Sequence, residues 1–219
     1  MRFFTQSFLY DDPWPIVSLA FFLRYPNPYA GHVLSCDVVS RELTAAGTLR
    51  TTRLILKRGA LPGWARKLIS RAESWVIEES EVDPYGQVVR CQTRNLDHVK
   101  VMRVEETQTF RQLPSGKTLQ VTEASIVSRF GWGLTKQIES HGLARFKRNV
   151  QRSREGVSVI LDLIRQARMQ MALGNGSFAA YLSADSSFRF TVPAHSFDDE
   201  SELPAPLQDT PRHISLPGN

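Results

Sequence analysis

Apolar and polar side chains alternate in short runs through the first 130 residues, a pattern typical of β-strands that are half buried. Runs of this kind cover residues 3–9, 32–43, 49–58, 73–82, 87–96, 102–112 and 117–130. Residues typical of turns separate several of them: Gly47, Asp-Pro-Tyr-Gly at 83–86 and Pro-Ser-Gly at 114–116. Because short turns join consecutive strands, the pattern predicts an antiparallel meander of about seven strands.

Two segments have the period of a helix. Residues 12–22 begin with Asp-Pro-Trp-Pro, which predicts a helix with Asp12 in the capping zone and proline in the first turn. The prolines within residues 25–29 end it. From about residue 132 to 171, apolar residues recur at helical spacing and form one stripe: Leu134, Ile138, Phe146, Val150, Val157, Leu161 and Ile164. The chain is therefore predicted to have an α+β fold in which one long C-terminal helix lies across the sheet.

A short segment interrupts the series of strands at residues 61–70. In a short helix it would place apolar side chains on one side and basic side chains elsewhere: Trp64, Leu68 and Ile69 against Arg66 and Lys67. That combination predicts a lid helix that docks in the headgroup layer of an anionic membrane. An ordinary amphipathic helix packed on the core is the alternative.

The last part of the chain has no periodicity. Residues 172–219 are rich in Gly, Ser, Pro and acidic residues, which predicts a disordered, mildly acidic tail after a domain of residues 1–171. The whole chain has 27 Lys and Arg against 22 Asp and Glu. Six of the acidic but only two of the basic residues follow Met171, so residues 1–170 carry a formal net charge of +9.

A body this basic favours anionic partners, namely nucleic acid, an acidic membrane surface or an acidic ligand, although a basic surface also serves solubility alone. No strand resembles the aromatic RNA-binding signature, and no catalytic motif is present. Two cysteines, Cys36 and Cys91, are too few for a zinc site. No run approaches the roughly 20 apolar residues of a membrane span, and the N-terminus lacks the pattern of a secretory signal or transit peptide. The sequence therefore predicts a binding protein without metal or cofactor.

The candidate binding residues are cations near one end of the predicted sheet. Alternation places Arg53 and Lys57 on the strand face opposite Leu54, while Arg24 ends the first helix and His32 begins the second strand. If that face lines a cavity, an anionic headgroup would neutralise the cations; otherwise they lie on a solvated face. The long helix has a basic face of its own, formed by Arg145, Arg148 and Arg152.

Seven phrases of the chain resemble the PRELI-like family of mitochondrial lipid-transfer proteins. They follow one another in order: Ala20-Phe-Phe-Leu-Arg-Tyr-Pro-Asn-Pro-Tyr29, His32-Val-Leu-Ser-Cys-Asp37, Leu49-Arg-Thr-Thr-Arg-Leu54, Glu78-Glu-Ser-Glu-Val-Asp-Pro84, Thr93-Arg-Asn-Leu-Asp-His98, Val104-Glu-Glu106 and Leu143-Ala-Arg-Phe-Lys-Arg-Asn-Val150. The resemblance extends over about residues 1–170. It implies a fold like the START and phosphatidylinositol-transfer domains, in which a curved seven-stranded antiparallel sheet grips the long helix.

The resemblance also implies a function. Members of the family shuttle phospholipid between the mitochondrial membranes, and the phrases at residues 24–29 and 94–98 are most similar to the branch that carries phosphatidic acid for cardiolipin synthesis. In that branch the headgroup contacts correspond to Arg24, His32, Arg53 and Lys57, with Arg145 and Arg152 where relatives have lysine. A small helical twin Cys-x9-Cys protein is the expected partner in the intermembrane space. A phosphatidylserine carrier, a nucleic-acid-binding module and a partner-holding protein are the alternatives.

Overall fold

The computed structural model describes residues 1–59, 72–131 and 133–172. Seven strands and two α-helices follow one another, with a 3-10 turn after the first helix. Their bounds are β1 (Arg2–Tyr10), α1 (Trp14–Phe22), the 3-10 turn (Pro28–Ala30), β2 (Val33–Leu43), β3 (Leu49–Arg58), β4 (Glu73–Asp83), β5 (Val88–Asn95), β6 (Arg103–Gln112), β7 (Thr118–Val127) and α2 (Thr135–Ala172).

The seven strands form one sheet in the order β1-β7-β6-β5-β4-β3-β2, and every neighbouring pair is antiparallel. β2 to β7 are a meander, and β1 adds to it next to β7. The predicted α+β fold, a seven-stranded antiparallel sheet with one long C-terminal helix, is confirmed. The predicted lid helix and the predicted tail beyond residue 172 lie outside the described residues. In the described part of the chain, no helix combines the length and the apolarity needed to cross a membrane.

The start of α1 differs from the prediction. Pro13 occupies the N-cap position, and the backbone N–H of Trp14 donates to Oε1 of Gln112 at 2.6 Å, so the predicted capping role of Asp12 is wrong. The carboxylate of Asp12 instead accepts hydrogen bonds from the guanidinium of Arg165 on α2, at 3.1 Å from Nε. An ion pair to the long helix therefore holds the carboxylate away from the backbone of α1.

One face of the sheet is covered by the two helices. On β3, Thr51, Arg53 and Ile55 are buried on this concave face, whereas Leu54 and Leu56 on the opposite face are half exposed. The main hydrophobic core lies between α1, the second half of α2 and the middle strands: Tyr10, Trp14, Val17, Ala20, Phe21, Val89, Cys91, Phe110, Val157, Leu161 and Ile164. A smaller cluster joins β7 to the first half of α2: Ala124, Ile126, Phe146 and Val150.

A row of polar residues crosses the concave face at right angles to the strands. The strand register aligns Arg53 of β3 with Glu78 of β4, Thr93 of β5 and Glu106 of β6. Glu78 accepts from Arg53, and Glu106 accepts from the hydroxyl of Thr93 at 3.2 Å. We call these four residues the polar row. Cys91 and Phe110 of the main core lie on its α1 side, and Val76 and Val104 lie on the other side.

The 3-10 turn packs closely on α2. A methyl group at Gly156 would lie 2.7 Å from Nδ2 of Asn27, so the turn can approach the helix only because position 156 has no side chain. The side-chain oxygen of buried Asn27 accepts from the backbone N–H of Tyr29 at 2.8 Å. This contact fixes the chain segment that leads from α1 to His32.

Candidate functional site

A cavity of about 280 Å³ separates the concave face of the sheet from the first half of α2. Its floor comes from β3, β4, β5 and β6, and its walls come from the 3-10 turn, the β5–β6 connection and α2 residues 138–153. One part of the wall is apolar: Val76, Val101, Met102, Val104, Ile138, Phe146 and Val150. The cavity is thus a cleft in which an apolar chain would lie between sheet and helix.

Basic side chains gather at one end of this cavity. His32 precedes β2, Lys57 lies near the end of β3, and Arg145 and Arg152 lie two turns apart on α2. We call these four residues the cation cluster. Three chain segments far apart in the sequence contribute to it, so the fold itself concentrates the positive charge. All four were predicted as headgroup-binding residues, and the structure brings them together.

The protonation of His32 reflects its neighbours. Burial, together with the charges of Lys57, Arg145 and Arg152, lowers the pKa of His32 to about 4. At neutral pH the imidazole is therefore uncharged, and it can donate one hydrogen bond and accept another. Burial and the charge of Arg148 lower the pKa of Arg145 as well. Both shifts mean that a positive charge is disfavoured here, and an anion entering the cluster would relieve this.

The two remaining predicted residues, Arg24 and Arg53, lie together at a different place. Both are buried, at 4% and 5% exposure, and both donate to the carboxylate of Glu78, which is 1% exposed. Nε of Arg53 lies 2.7 Å from Oε1 of Glu78, while Nη1 of Arg24 donates to the carbonyl of Phe21 at 2.6 Å. Arg24 also borders the cavity, whereas Arg53 is not among its lining residues.

The carboxylate of Glu78 is therefore the counter-ion of Arg24 and Arg53. Burial alone would raise the pKa of Glu78, but the guanidinium groups of Arg24 and Arg53 outweigh it and lower that pKa below its ordinary value. Two positive charges share one negative charge, so the buried triad keeps a net charge of +1 at the cavity floor.

Several lining residues were not predicted from the sequence. Two of them are Glu78 and Asn149. Asn149 lies between Arg145 and Arg152 on the wall of the cavity. Tyr25, Tyr29 and His141 also line it. The spacing on α2 is the only signal that could have identified Asn149, since it is three or four residues from both arginines.

The described residues include both cysteines of the chain. Cys36 is half buried and Cys91 is buried, and both thiols are free. Burial raises the pKa of the Cys91 thiol well above its ordinary value. Among the described residues, no three His, Cys, Asp or Glu side chains gather as a metal site would require. The predicted docking residues Trp64, Arg66, Lys67, Leu68 and Ile69 lie outside the described residues.

Comparison with known proteins identifies the family. Residues 16–167 match the PRELI-like family. The chain belongs to this family. It is 40% identical to the mitochondrial protein UPS1 of Saccharomyces cerevisiae over 165 residues, which cover 74% of this chain and 94% of UPS1. It is 36% identical to the human mitochondrial PRELI domain-containing protein 1, across 74% of this chain and 75% of that protein.

Solved structures place this PRELI-like chain in a wider fold class. TTHA0849 from Thermus thermophilus superposes with a TM-score of 0.51 at 17% identity, covering 74% of this chain and 99% of that one. The Zhui aromatase/cyclase from Streptomyces sp. R1128 superposes with a TM-score of 0.52 at 12% identity, covering 74% and 93%. At such low identity the likeness shows the fold alone, a START-like sheet that grips a long helix.

Proposed function

We propose that this chain is a phospholipid carrier of the mitochondrial intermembrane space. It extracts phosphatidic acid from the outer membrane and delivers it to the inner membrane, where it supports cardiolipin synthesis. The observation that carries the proposal is the cavity, which has the cation cluster at one end and an apolar wall beside it. The proposed cycle is binding, transport and release, with no covalent step. Membership of the PRELI-like family and the mitochondrial names of the relatives support this choice.

The charges favour a phosphomonoester headgroup. The cluster provides Lys57, Arg145 and Arg152 as cations and His32 as a neutral hydrogen-bonding group. A phosphomonoester carries a charge between −1.5 and −2 near neutral pH and offers three strong acceptor oxygens. Charge-assisted hydrogen bonds to phosphate are about twice as strong as neutral ones, and arginine can donate two in parallel.

Three carboxylates also line the cavity. Glu78 is occupied by Arg24 and Arg53, and Asp97 accepts from the backbone N–H of Trp75 at 2.7 Å. Glu106 accepts from Thr93 and Gln108. Among the lining residues these are the acidic side chains, and each already accepts hydrogen bonds within the protein. Asp97 and Glu106 accept from uncharged groups, and a carboxylate has about four acceptor positions, so the lining could also receive the amine of phosphatidylserine. The transfer assay below therefore compares the two lipids.

The apolar wall supplies affinity but little selectivity. Burying a CH₂ group from water gains about 0.8 kcal/mol, so the chains of a carried lipid strongly favour the cavity over solution. Extraction from a bilayer does not have this gain, because acyl chains in a bilayer are already shielded from water. Selection among lipids consequently falls to the headgroup end. A basic body of net charge +9 would bring the carrier to anionic membrane surfaces before extraction.

The proposed partner is a small helical twin Cys-x9-Cys protein that forms a heterodimer with the carrier. Family membership is the support for this part of the proposal. We further propose that residues 61–70 dock on the membrane through Trp64, Leu68, Arg66 and Lys67, and that residues 172–219 form a separate tail. These proposals rest on the sequence pattern.

Liposome transfer tests the carrier function directly. The full chain is mixed with donor liposomes that contain fluorescent phosphatidic acid or phosphatidylserine, and transfer to acceptor liposomes is followed over time. Native mass spectrometry of the purified protein then identifies the lipid that it carries. We expect transfer of phosphatidic acid, and a loss of at least tenfold in Lys57→Glu, because reversal replaces a phosphate-binding cation with a repulsive carboxylate.

The matched control is Lys117→Glu. In the wild-type protein Lys117 is half exposed and pairs with Asp11, far from the cavity. The substitution changes the net charge by the same amount and should leave transfer unchanged. Preferential transfer of phosphatidylserine would assign the chain to the other headgroup. Equal transfer by wild type and Lys57→Glu would contradict the assignment of the cation cluster.

A further inference from the structure

Gly59 lies directly after β3. Its N–H donates to the carbonyl of Ala72 at 3.1 Å, and the preceding Arg58 pairs with Glu73 at 2.7 Å between guanidinium and carboxylate. These two contacts join the ends of the chain on either side of residues 60–71. Gly59 also lines the cavity, so backbone rather than a side chain forms the wall at this point.

The guanidinium of Arg145 occupies the space that a side chain at position 59 would take. A methyl group on Gly59 would lie 2.9 Å from Cζ and 3.2 Å from Nη1 of Arg145, and closer still to Nη2. Real Cβ atoms essentially never approach other heavy atoms below 3.0 Å. Arg145 can therefore keep its present position only while residue 59 is glycine.

We propose that Gly59 is a positioning residue for the cation cluster: by lacking a side chain, it seats the guanidinium of Arg145 against the end of β3, where it faces the phosphate of a bound lipid. The inference rests on the proposed function for its ligand, but the steric contact between the two residues is independent of it. A left-handed backbone does not explain the glycine, because its φ is not positive. The close approach of Arg145 accounts for it instead.

A side chain at position 59 should change the position of the Arg145 guanidinium without changing the stability of the fold. The atoms that a methyl group at Gly59 would meet are the far end of a long, flexible side chain, which can rotate away at little cost. Alanine is compatible with the backbone conformation, so Gly59→Ala should fold with a stability close to that of wild type. The guanidinium, however, must leave its site. The cation cluster then keeps the same charges in a different arrangement, and geometry matters at a bidentate phosphate site.

The test is a double-mutant cycle on the full-length chain with Gly59→Ala, Arg145→Ala and the combined variant. The first readout is the Kd of dioctanoyl phosphatidic acid, measured by calorimetry. The second is the pKa of His32 in the absence of lipid, measured by NMR, since Arg145 is one of the charges that lower it. Gly131→Ala is the matched control, because a methyl group there meets no atom within 4 Å and its φ is not positive.

We expect Gly59→Ala to raise the Kd roughly tenfold or more, as the loss of a charged hydrogen bond does, and to move the pKa of His32 from its wild-type value. In the Arg145→Ala background, Gly59→Ala should change neither quantity further. Wild-type values of either quantity in Gly59→Ala would overturn the proposal, as would effects that persist without Arg145. Failure of the wild-type chain to bind the lipid would instead overturn the proposed function, and the His32 readout would still test the seat of Arg145.

Discussion

Removing the carboxylate of Glu78 should destabilise the fold more than any other change of a single charge on the sheet. In Glu78→Gln the shape of the side chain is kept, but the two arginines that donate to it lose their counter-ion. Arg24 and Arg53 are only 4% and 5% exposed, and each keeps a single backbone acceptor, the carbonyl of Phe21 at 2.6 Å and that of Phe22 at 3.2 Å. Two buried positive charges would then lie next to each other without a counter-ion.

Breaking a buried ion pair by removing one partner costs about 3–5 kcal/mol. A domain of this size is stabilised by about 5–15 kcal/mol in total, so the loss is a large fraction of the stability. For chains of this length 1 kcal/mol corresponds to about 2–4 °C in Tm. Glu78→Gln should thus lower the Tm by roughly 6–20 °C, which thermal and urea denaturation followed by circular dichroism would measure.

The adjacent Glu79 offers the control. It pairs with Arg94 at 3.0 Å, but the two side chains are 47% and 48% exposed. Exposed pairs contribute about 0–1 kcal/mol, so Glu79→Gln should change the Tm by no more than a few degrees. If Glu78→Gln and Glu79→Gln had the same effect within about 1 kcal/mol, the idea that the triad holds the sheet and α1 together would be wrong.

Two further predictions concern His32 and the 3-10 turn. An unfolded histidine binds a proton near pH 6.5, whereas folded His32 does so only near pH 4, so the free energy of unfolding should rise by up to about 3 kcal/mol as the pH rises from 4 to 6.5. His32→Gln should flatten this rise in urea denaturation at pH 4.5 and 7, and an unchanged slope would disprove it. Gly156→Val should lower the free energy of unfolding by about 1–3 kcal/mol, because the new side chain would collide with Asn27. The control, Ser158→Val at an exposed position of the same helix, should be nearly neutral. Similar stabilities of the two variants would count against the packing described.

The strands and the long helix could be predicted because their patterns are local. Alternation with a period of two marks each strand, and the stripe from Ile138 to Ile164 has the period of a helix. The strand meander then follows from short connections. The contacts at the start of α1 could not be predicted in the same way, since Asp12 had two possible uses and its partner, Arg165, lies on a distant helix. Gln112, which accepts from Trp14 instead, lies on β6.

The inward face of β4 shows why part of the site escapes sequence analysis. The aromatic Trp75 and the aliphatic Ile77 of β4 lie on the outer face of the sheet, where Trp75 is 36% exposed. The carboxylate of Glu78, in contrast, lies on the inward face, and Glu78 is 1% exposed. Sequence reasoning places a carboxylate such as Glu78 outward, because a glutamate is almost never fully buried unless it is paired. Only the pairing of β3 with β4 reveals that Arg53 and Glu78 are neighbours, and this register depends on the whole sheet.

The polar row divides the concave face into two halves with different tasks. On the α1 side, Cys91 and Phe110 belong to the filled main core. On the other side, Val76 and Val104 border the cavity, whose lining extends to Glu78, Thr93 and Glu106 of the row but includes neither Cys91 nor Phe110. The larger core thus lies in one half, and the space for a ligand lies in the other, where Phe146 and Val150 of the smaller cluster border it. Cavity residues that belong to neither cluster, such as Val76 and Val101, can therefore change during evolution or by design without dismantling the main core.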